Sequence, residues 1–238
     1  MMIHAPLSFI PQAYLFDLDG TLIDTTPDIA TAVNLLRVEL SLPALSPSEV
    51  ERGVGHGATH LLRCCLPTNL HTNLREYKAR FIELYEANLC VKTRPYPEVS
   101  ACLERLKKLG VPIALVTNKP MRLTEPLLAD LGWTELFDVV CGGDTYPQRK
   151  PSPMPILETL KKLGVPADQA LFIGDTEVDA EAAQRAHVSM IAVPYGRVAA
   201  QINEGVFGAS ARVSSLSALP DTSHLDTSHL DGGDHGKA

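Results

Sequence analysis

No C-x-x-C pair occurs in this 238-residue chain, and its cysteines, Cys64, Cys65, Cys90, Cys102 and Cys141, are odd in number. Neither a disulfide framework nor a zinc knuckle is expected; free thiols in a reducing compartment are. The first Lys or Arg is Arg37, so the basic opening of a targeting peptide is missing. No apolar run approaches the ~20 residues of a membrane span. Basic residues are outnumbered, 21 against 28 acidic ones, for a net charge of −7. That balance argues against a general binder of nucleic acid or anionic membrane, while leaving room for a local basic pocket for a small anion. The 16 glycines and 18 prolines are dispersed, which excludes a collagen-like or Pro-rich region. What is present is ordinary for a globular protein: 45% hydrophobic and 21% charged residues. The length suits one large domain, or one domain carrying a smaller partner, with a sizeable core. A soluble cytoplasmic protein, monomer or homodimer, is expected.

Tyr14-Leu15-Phe16 reads as a brief buried strand ending in Asp17-Leu18-Asp19-Gly20-Thr21, with Gly20 at the turn out of the sheet. Further buried strands are expected at Val111–Val116, Phe137–Val140, Ala170–Ile173 and Val188–Val193. Helical patterns lie between them at Ser100–Leu109, stopped by Gly110, at Pro155–Leu163, stopped by Gly164, and at Glu177–Ala186. Alternating strands and helices predict an α/β fold, a Rossmann-like parallel sheet flanked by helices on both faces.

From Asp19 to Thr117 is 98 positions, whereas a plain βαβ unit needs only ~30 residues. The excess matches a small inserted helical domain, with helical patterns at Pro27–Leu40, Ser48–Val54, Ala58–Leu66 and Leu74–Asn88. Leaving the sheet after its first strand and returning before the next, it would cap the C-terminal sheet edge, where open α/β folds bind ligands. The expected division is an α/β core over 1–24 and 92–219 and a helical cap over 25–91. Residues 220–238, in which Asp-Thr-Ser-His-Leu occurs twice in succession, read as a disordered, solvated tail.

Asp17 and Asp19 are two residues apart at a strand end, so their carboxylates point to the same side. Two carboxylates that close repel unless a proton or a cation lies between them, and a hard divalent cation such as Mg²⁺ suits oxygen donors. A second buried strand ends in acid at Gly174-Asp175-Thr176-Glu177-Val178-Asp179. Helix capping accounts for part of that run, but two aspartate-tipped strands at one sheet edge also suit one shared cation. Lys150, in Lys150-Pro151-Ser152-Pro153, precedes a helix N-terminus whose dipole opposes its charge, a conflict that a bound anion removes. Thr117-Asn118-Lys119-Pro120 also follows a buried strand and opens a helix, where hydroxyl and backbone N–H groups could hold a phosphate oxygen.

Asp17-x-Asp19-Gly20-Thr21-Leu22, Leu115-Val116-Thr117-Asn118, Lys150-Pro151 and Gly174-Asp175-Thr176-x-x-Asp179 together resemble the four motifs of the haloacid dehalogenase superfamily, in the family's order. Thr21–Asp28, Gly53-Val54-Gly55-His56-Gly57 and Gly142-Gly143-Asp144 are similar to stretches of its phosphoglycolate phosphatases. The resemblance implies that Asp17 is a nucleophile forming an aspartyl-phosphate, and that Asp19 is the acid and base. Mg²⁺ would be held by Asp17, Asp175 and the Asp19 backbone carbonyl, with Asp179 behind them. Thr117 and Lys150 would bind the phosphoryl oxygens. Relatives end the last motif's helix with glycine where this chain has Ala186-His187-Val188, so mild strain is expected at His187.

The resemblance implies a small phosphorylated metabolite as substrate, with 2-phosphoglycolate expected, and a cap that reads the leaving group. Candidate substrate-binding residues are Gly20 and Asn118 in the core and Arg52 and His56 in the cap, with His60 and Arg63 nearby. Pyrophosphate, a sugar or nucleoside phosphate, a mutase reaction, and a non-catalytic phosphate-binding protein on the same fold are the alternatives. A dehalogenase is set aside because Asp19 is present.

Overall fold

A computed structural model of the chain describes residues 9–193, 195, 211–212, 216 and 219. The tail expected at 220–238 lies outside them. In chain order the elements are β1 (Ala13–Phe16), β2 (Ile23–Asp24), α1 (Thr26–Glu39), α2 (Pro47–Glu51), α3 (Ala58–Cys65), α4 (Leu74–Glu86), β3 (Arg94–Pro95), α5 (Val99–Lys108) and β4 (Ile113–Val116). There follow α6 (Met121–Asp130), β5 (Val139–Cys141), α7 (Met154–Leu163), β6 (Ala170–Gly174), α8 (Glu177–Arg185), β7 (Ser189–Ala192) and β8 (Ala211–Arg212).

Six strands form one sheet in the order β5-β4-β1-β6-β7-β8, each neighbouring pair parallel. This is the expected α/β architecture, and the side-chain alternation of a strand explains it. Tyr14, Phe16, Ile113, Leu115, Leu171 and Ile173 face one layer, where they pack on Leu103 and Leu106 of α5 and Leu127 of α6. Ala13, Leu15, Ala114, Val116 and Phe172 face the other, against Ile156 and Leu160 of α7 and Ala182 and Ala183 of α8. Strands buried on both faces read in the sequence as unbroken apolar runs, as these do.

Edges shift where local chemistry intervenes. The strand expected from Val111 begins at Ile113, because the Val111 N–H bonds Leu106 and closes the end of α5, where Gly110 has φ +70°. The strand expected from Phe137 begins at Val139: Asp138 exchanges bonds with Ile113, its N–H donating to the Ile113 carbonyl and its carboxylate accepting the Ile113 N–H at 2.9 Å.

Helices α1–α4 share their own apolar cluster, including Val33, Leu36, Leu62 and Phe81, which meets the sheet layer through Leu123 of α6. The chain enters and leaves this unit through β2 and β3, paired antiparallel with Ile23 opposite Pro95 and Asp24 opposite Arg94. A two-residue pairing has no periodicity to detect, and the sequence did not announce it. Buried Asp28 of α1 ties the return path, accepting the backbone N–H groups of Lys92 and Thr93 and the Thr93 hydroxyl at 2.8–2.9 Å.

Candidate active site

Each chemistry-bearing segment leaves the C-terminal end of a parallel strand. Asp17 follows β1 and donates its N–H to Ile173 of β6 at 2.9 Å; Thr117 follows β4 and donates to Cys141 of β5 at 2.9 Å. These bonds extend the sheet ladder by one residue and fix where both side chains start. Asp175 follows β6 directly. Gly20 has φ +89°, and a Cβ there would lie 2.4 Å from Asp175 Oδ2, so only glycine lets the loop after β1 pass so close to Asp175. The Thr21 hydroxyl donates to Asp175 Oδ1 at 2.9 Å.

Lys150 is 2% exposed, and its ammonium donates to Asp17 Oδ1 at 2.8 Å and to Asp179 Oδ1 at 2.6 Å. Asp179 is held by its own helix: in the capping box of α8, its Oδ2 accepts the Thr176 N–H at 3.0 Å and the Thr176 hydroxyl at 2.6 Å. Carboxylate oxygens of Asp17, Asp175 and Asp179 lie within 4.8 Å of one another, all buried. Burial pushes Asp17 up to about 6; Lys150 pulls against that shift and Asp179 reinforces it. Burial also works against the charge on Lys150, but Asp17 and Asp179 outweigh it and hold the ammonium above the ordinary lysine range. Three buried carboxylates around a single ammonium are a hard-oxygen donor set short of positive charge, which fits a divalent cation such as Mg²⁺.

Asp19 is oriented differently. Its Oδ1 accepts the Thr25 hydroxyl at 2.7 Å and the Lys119 ammonium at 3.0 Å, so its carboxylate stands apart from the group of three. Lys119 is itself 5% exposed and donates to the Tyr85 hydroxyl of α4 at 2.8 Å. Sequence reading gave no role to Thr25, Tyr85 or Lys119. Lys119 left one signal, a lysine immediately after the Thr-Asn pair that ends a buried strand; Tyr85 left none, since only folding brings the end of α4 to the segment after β4. A cavity of about 50 Å³ lies between the sheet edge and the helical unit, lined by Asp17, Asp19, Thr117, Asn118 and Lys119 on one side and by Leu61, Phe81 and Tyr85 on the other.

Residues 14–193 match the haloacid dehalogenase-like hydrolase family. The chain belongs to that family. Among curated relatives of this hydrolase, the phosphoglycolate phosphatase of Pseudomonas syringae pv. tomato is 41% identical over 192 residues, covering 79% of this chain and 71% of the relative. That of Chromobacterium violaceum is 36% identical over 216 residues, covering 88% and 95%. Among solved structures, a predicted phosphoglycolate phosphatase from Haemophilus somnus superposes with a TM-score of 0.73 at 33% identity, covering 79% of this chain and 88% of that one.

The remaining candidates of this haloacid dehalogenase-like hydrolase are dispersed. Asn118 donates to the Lys150 carbonyl at 2.9 Å and the Gly55 carbonyl at 3.1 Å, joining the lysine loop to the Gly53–Gly57 loop. Gly53, Val54, Gly55 and Gly57 border the cavity, but His56 turns away, 3.3 Å from Glu177 of α8 and stacked on His60. Arg52 ends α2 on the exposed surface and is not in the cavity wall, nor is Arg63. The strain expected at His187 is present: it has φ +57° just past the end of α8. No helix among the described residues is long and apolar enough to cross a membrane.

Proposed function

We propose that this phosphoric monoester hydrolase converts 2-phosphoglycolate to glycolate and phosphate, with Mg²⁺, through an aspartyl-phosphate on Asp17. The observation that carries the reading is Asp17 itself: a buried carboxylate at a strand end, hydrogen-bonded to Lys150 at 2.8 Å and open to the cavity. Asp17 and Asp175, with the Asp19 backbone carbonyl, would hold Mg²⁺. When bound, the cation supplies positive charge that lets a carboxylate approach a phosphate dianion.

A carboxylate oxygen of Asp17 attacks phosphorus as the bond to the ester oxygen breaks. Asp19, two residues on and also lining the cavity, delivers a proton to the departing alkoxide. It then takes a proton from the water that attacks phosphorus, releasing phosphate and restoring Asp17. Thr117 and Lys150 hold phosphoryl oxygens, and Asp179 keeps Lys150 in place through their 2.6 Å bond. The five cysteines are all free thiols, and the cytoplasm is the compartment proposed.

Phosphate release from a panel containing 2-phosphoglycolate, pyrophosphate, and sugar and nucleoside phosphates, with Mg²⁺ and with EDTA, tests this. EDTA-sensitive release dominated by 2-phosphoglycolate is expected. Dominance of another ester refutes the substrate, and full activity of Asp17→Asn refutes the mechanism.

A further inference from the structure

We propose that Lys119 selects the leaving group: it is the cation that reads a carboxylate placed close to the ester oxygen. The inference rests on the 2-phosphoglycolate reading above and deepens it.

Lys119 is the one cationic side chain in the wall of the cavity among the described residues. Lys150, the other buried ammonium of the site, is bonded to Asp17 and Asp179 and serves the phosphoryl group at Asp17 rather than the leaving group. A leaving group with its own carboxylate would enter a space already bordered by Asp17 and Asp19, and like charges at that range repel. Without a cation facing it, such a substrate is the one this cavity should reject.

The surroundings of Lys119 suit recognition of an anion. Its ammonium has three N–H donors; Asp19 and the Tyr85 hydroxyl are its partners, and an ammonium shared between two residues has capacity for a third acceptor. Tyr85 also lays its ring against the ammonium, 4.5 Å from the ring centre, and so orients it from the helical side. Ile29, Leu61, Phe81 and Leu123 line the same cavity, and their apolar surface strengthens a charge pair formed beside them. Thr117 is two residues before Lys119, and its Oγ1 accepts the Lys119 N–H at 3.2 Å. Asp17, Thr117 and Lys119 line the same cavity, so a phosphoryl group at Asp17 and Thr117 and an anion at the Lys119 ammonium would share it.

The test is the ratio of kcat/KM for 2-phosphoglycolate to kcat/KM for ethyl phosphate, an ester of similar size without the carboxylate. It is measured with saturating Mg²⁺ in the wild type, Lys119→Met, Lys119→Arg and Tyr85→Phe. A ratio rather than a rate is read because Lys119 also touches Asp19, and impaired proton delivery by Asp19 lowers the rate for both esters. The wild type is expected to favour 2-phosphoglycolate, and Lys119→Met to lower the ratio by ~10- to 100-fold, the worth of a charge-assisted hydrogen bond. Lys119→Arg should restore part of it. A high wild-type ratio that Lys119→Met preserves overturns the inference alone and leaves Lys119 as a support for Asp19. A wild-type ratio near one overturns the 2-phosphoglycolate reading and the inference with it. If Lys119→Met does not fold, Tyr85→Phe decides: loss of the orienting hydroxyl should lower the ratio by ~3-fold, and an unchanged ratio overturns the inference.

Discussion

Replacing Asp17 by asparagine should stabilise the metal-free protein, and the size of the gain follows from the site. The Asp17 carboxyl is raised from 3.8 to about 6, first by burial, with Lys150 opposing and Asp179 adding to the shift. The folded state thus binds this proton more tightly than the unfolded chain does. Between pH 3.8 and about 6 the folded state carries more of it, so stability falls as pH rises through that window. Above the window the full penalty stands, roughly 3 kcal/mol for a carboxyl raised from 3.8 to about 6. Asparagine keeps an oxygen for Lys150 and carries no charge, so Asp17→Asn removes the penalty at pH 8 and changes little near pH 4. For a chain of this size each kcal/mol corresponds to ~2–4 °C, so Tm at pH 8 in EDTA should rise by ~6–12 °C. Thermal unfolding of both proteins in EDTA at several pH values measures the difference, in which titrating groups remote from Asp17 cancel. Mg²⁺ at 1,000 times its Kd should reverse the order, because it adds about 4.1 kcal/mol to the protein that binds it, and the variant lacks one carboxylate. A Tm difference that is zero or negative at pH 8 in EDTA, or independent of pH, would refute the account of Asp17 as a carboxylate buried at a cost.

Gly20→Ala sets a Cβ 2.4 Å from Asp175 Oδ2 in a φ +89° turn, and should displace that carboxylate. A Mg²⁺ activation curve should shift to at least ~10-fold higher concentration, and an unshifted curve would count against Asp175 as a ligand. Asp28→Ala strips the Lys92 and Thr93 N–H groups of their buried acceptor, and should cost about 2–4 kcal/mol in urea unfolding. His187→Gly relieves a left-handed residue on the exposed end of α8, and should raise stability by about 1 kcal/mol with kcat unchanged.

The core of the fold was legible because its signals are local. Tyr14-Leu15-Phe16, Ile113–Val116 and Ala170–Ile173 are apolar without a break, since each is covered on both faces, and Gly110 and Gly164 mark helix ends by the positive φ they adopt. The inserted helices were legible as an excess of chain between Asp19 and Thr117, and their periodicity located each one to within a few residues. Asp17, Asp19, Thr117, Lys150, Asp175 and Asp179 were named from sequence because each stands at a strand end or at the entry to a helix, positions that turn residues and capping chemistry make visible.

Tertiary structure alone decided how those residues divide. Nothing local says that Lys150 bridges Asp17 and Asp179, or that Asp19 leaves that group to pair with Thr25 and Lys119; those partners are 133, 29 and 100 positions away in the three lysine contacts. It also decided that Tyr85 reaches the site while Arg52 and His56 do not border the cavity. The rotation of a helix about its axis and the direction in which a loop side chain points are set by packing against another unit, here α1–α4 over the sheet edge. A sequence records periodicity, and with it which face of a helix is buried. What lies opposite that face depends on contacts distant in the chain, and these fixed which charges share the cavity and which are turned away from it.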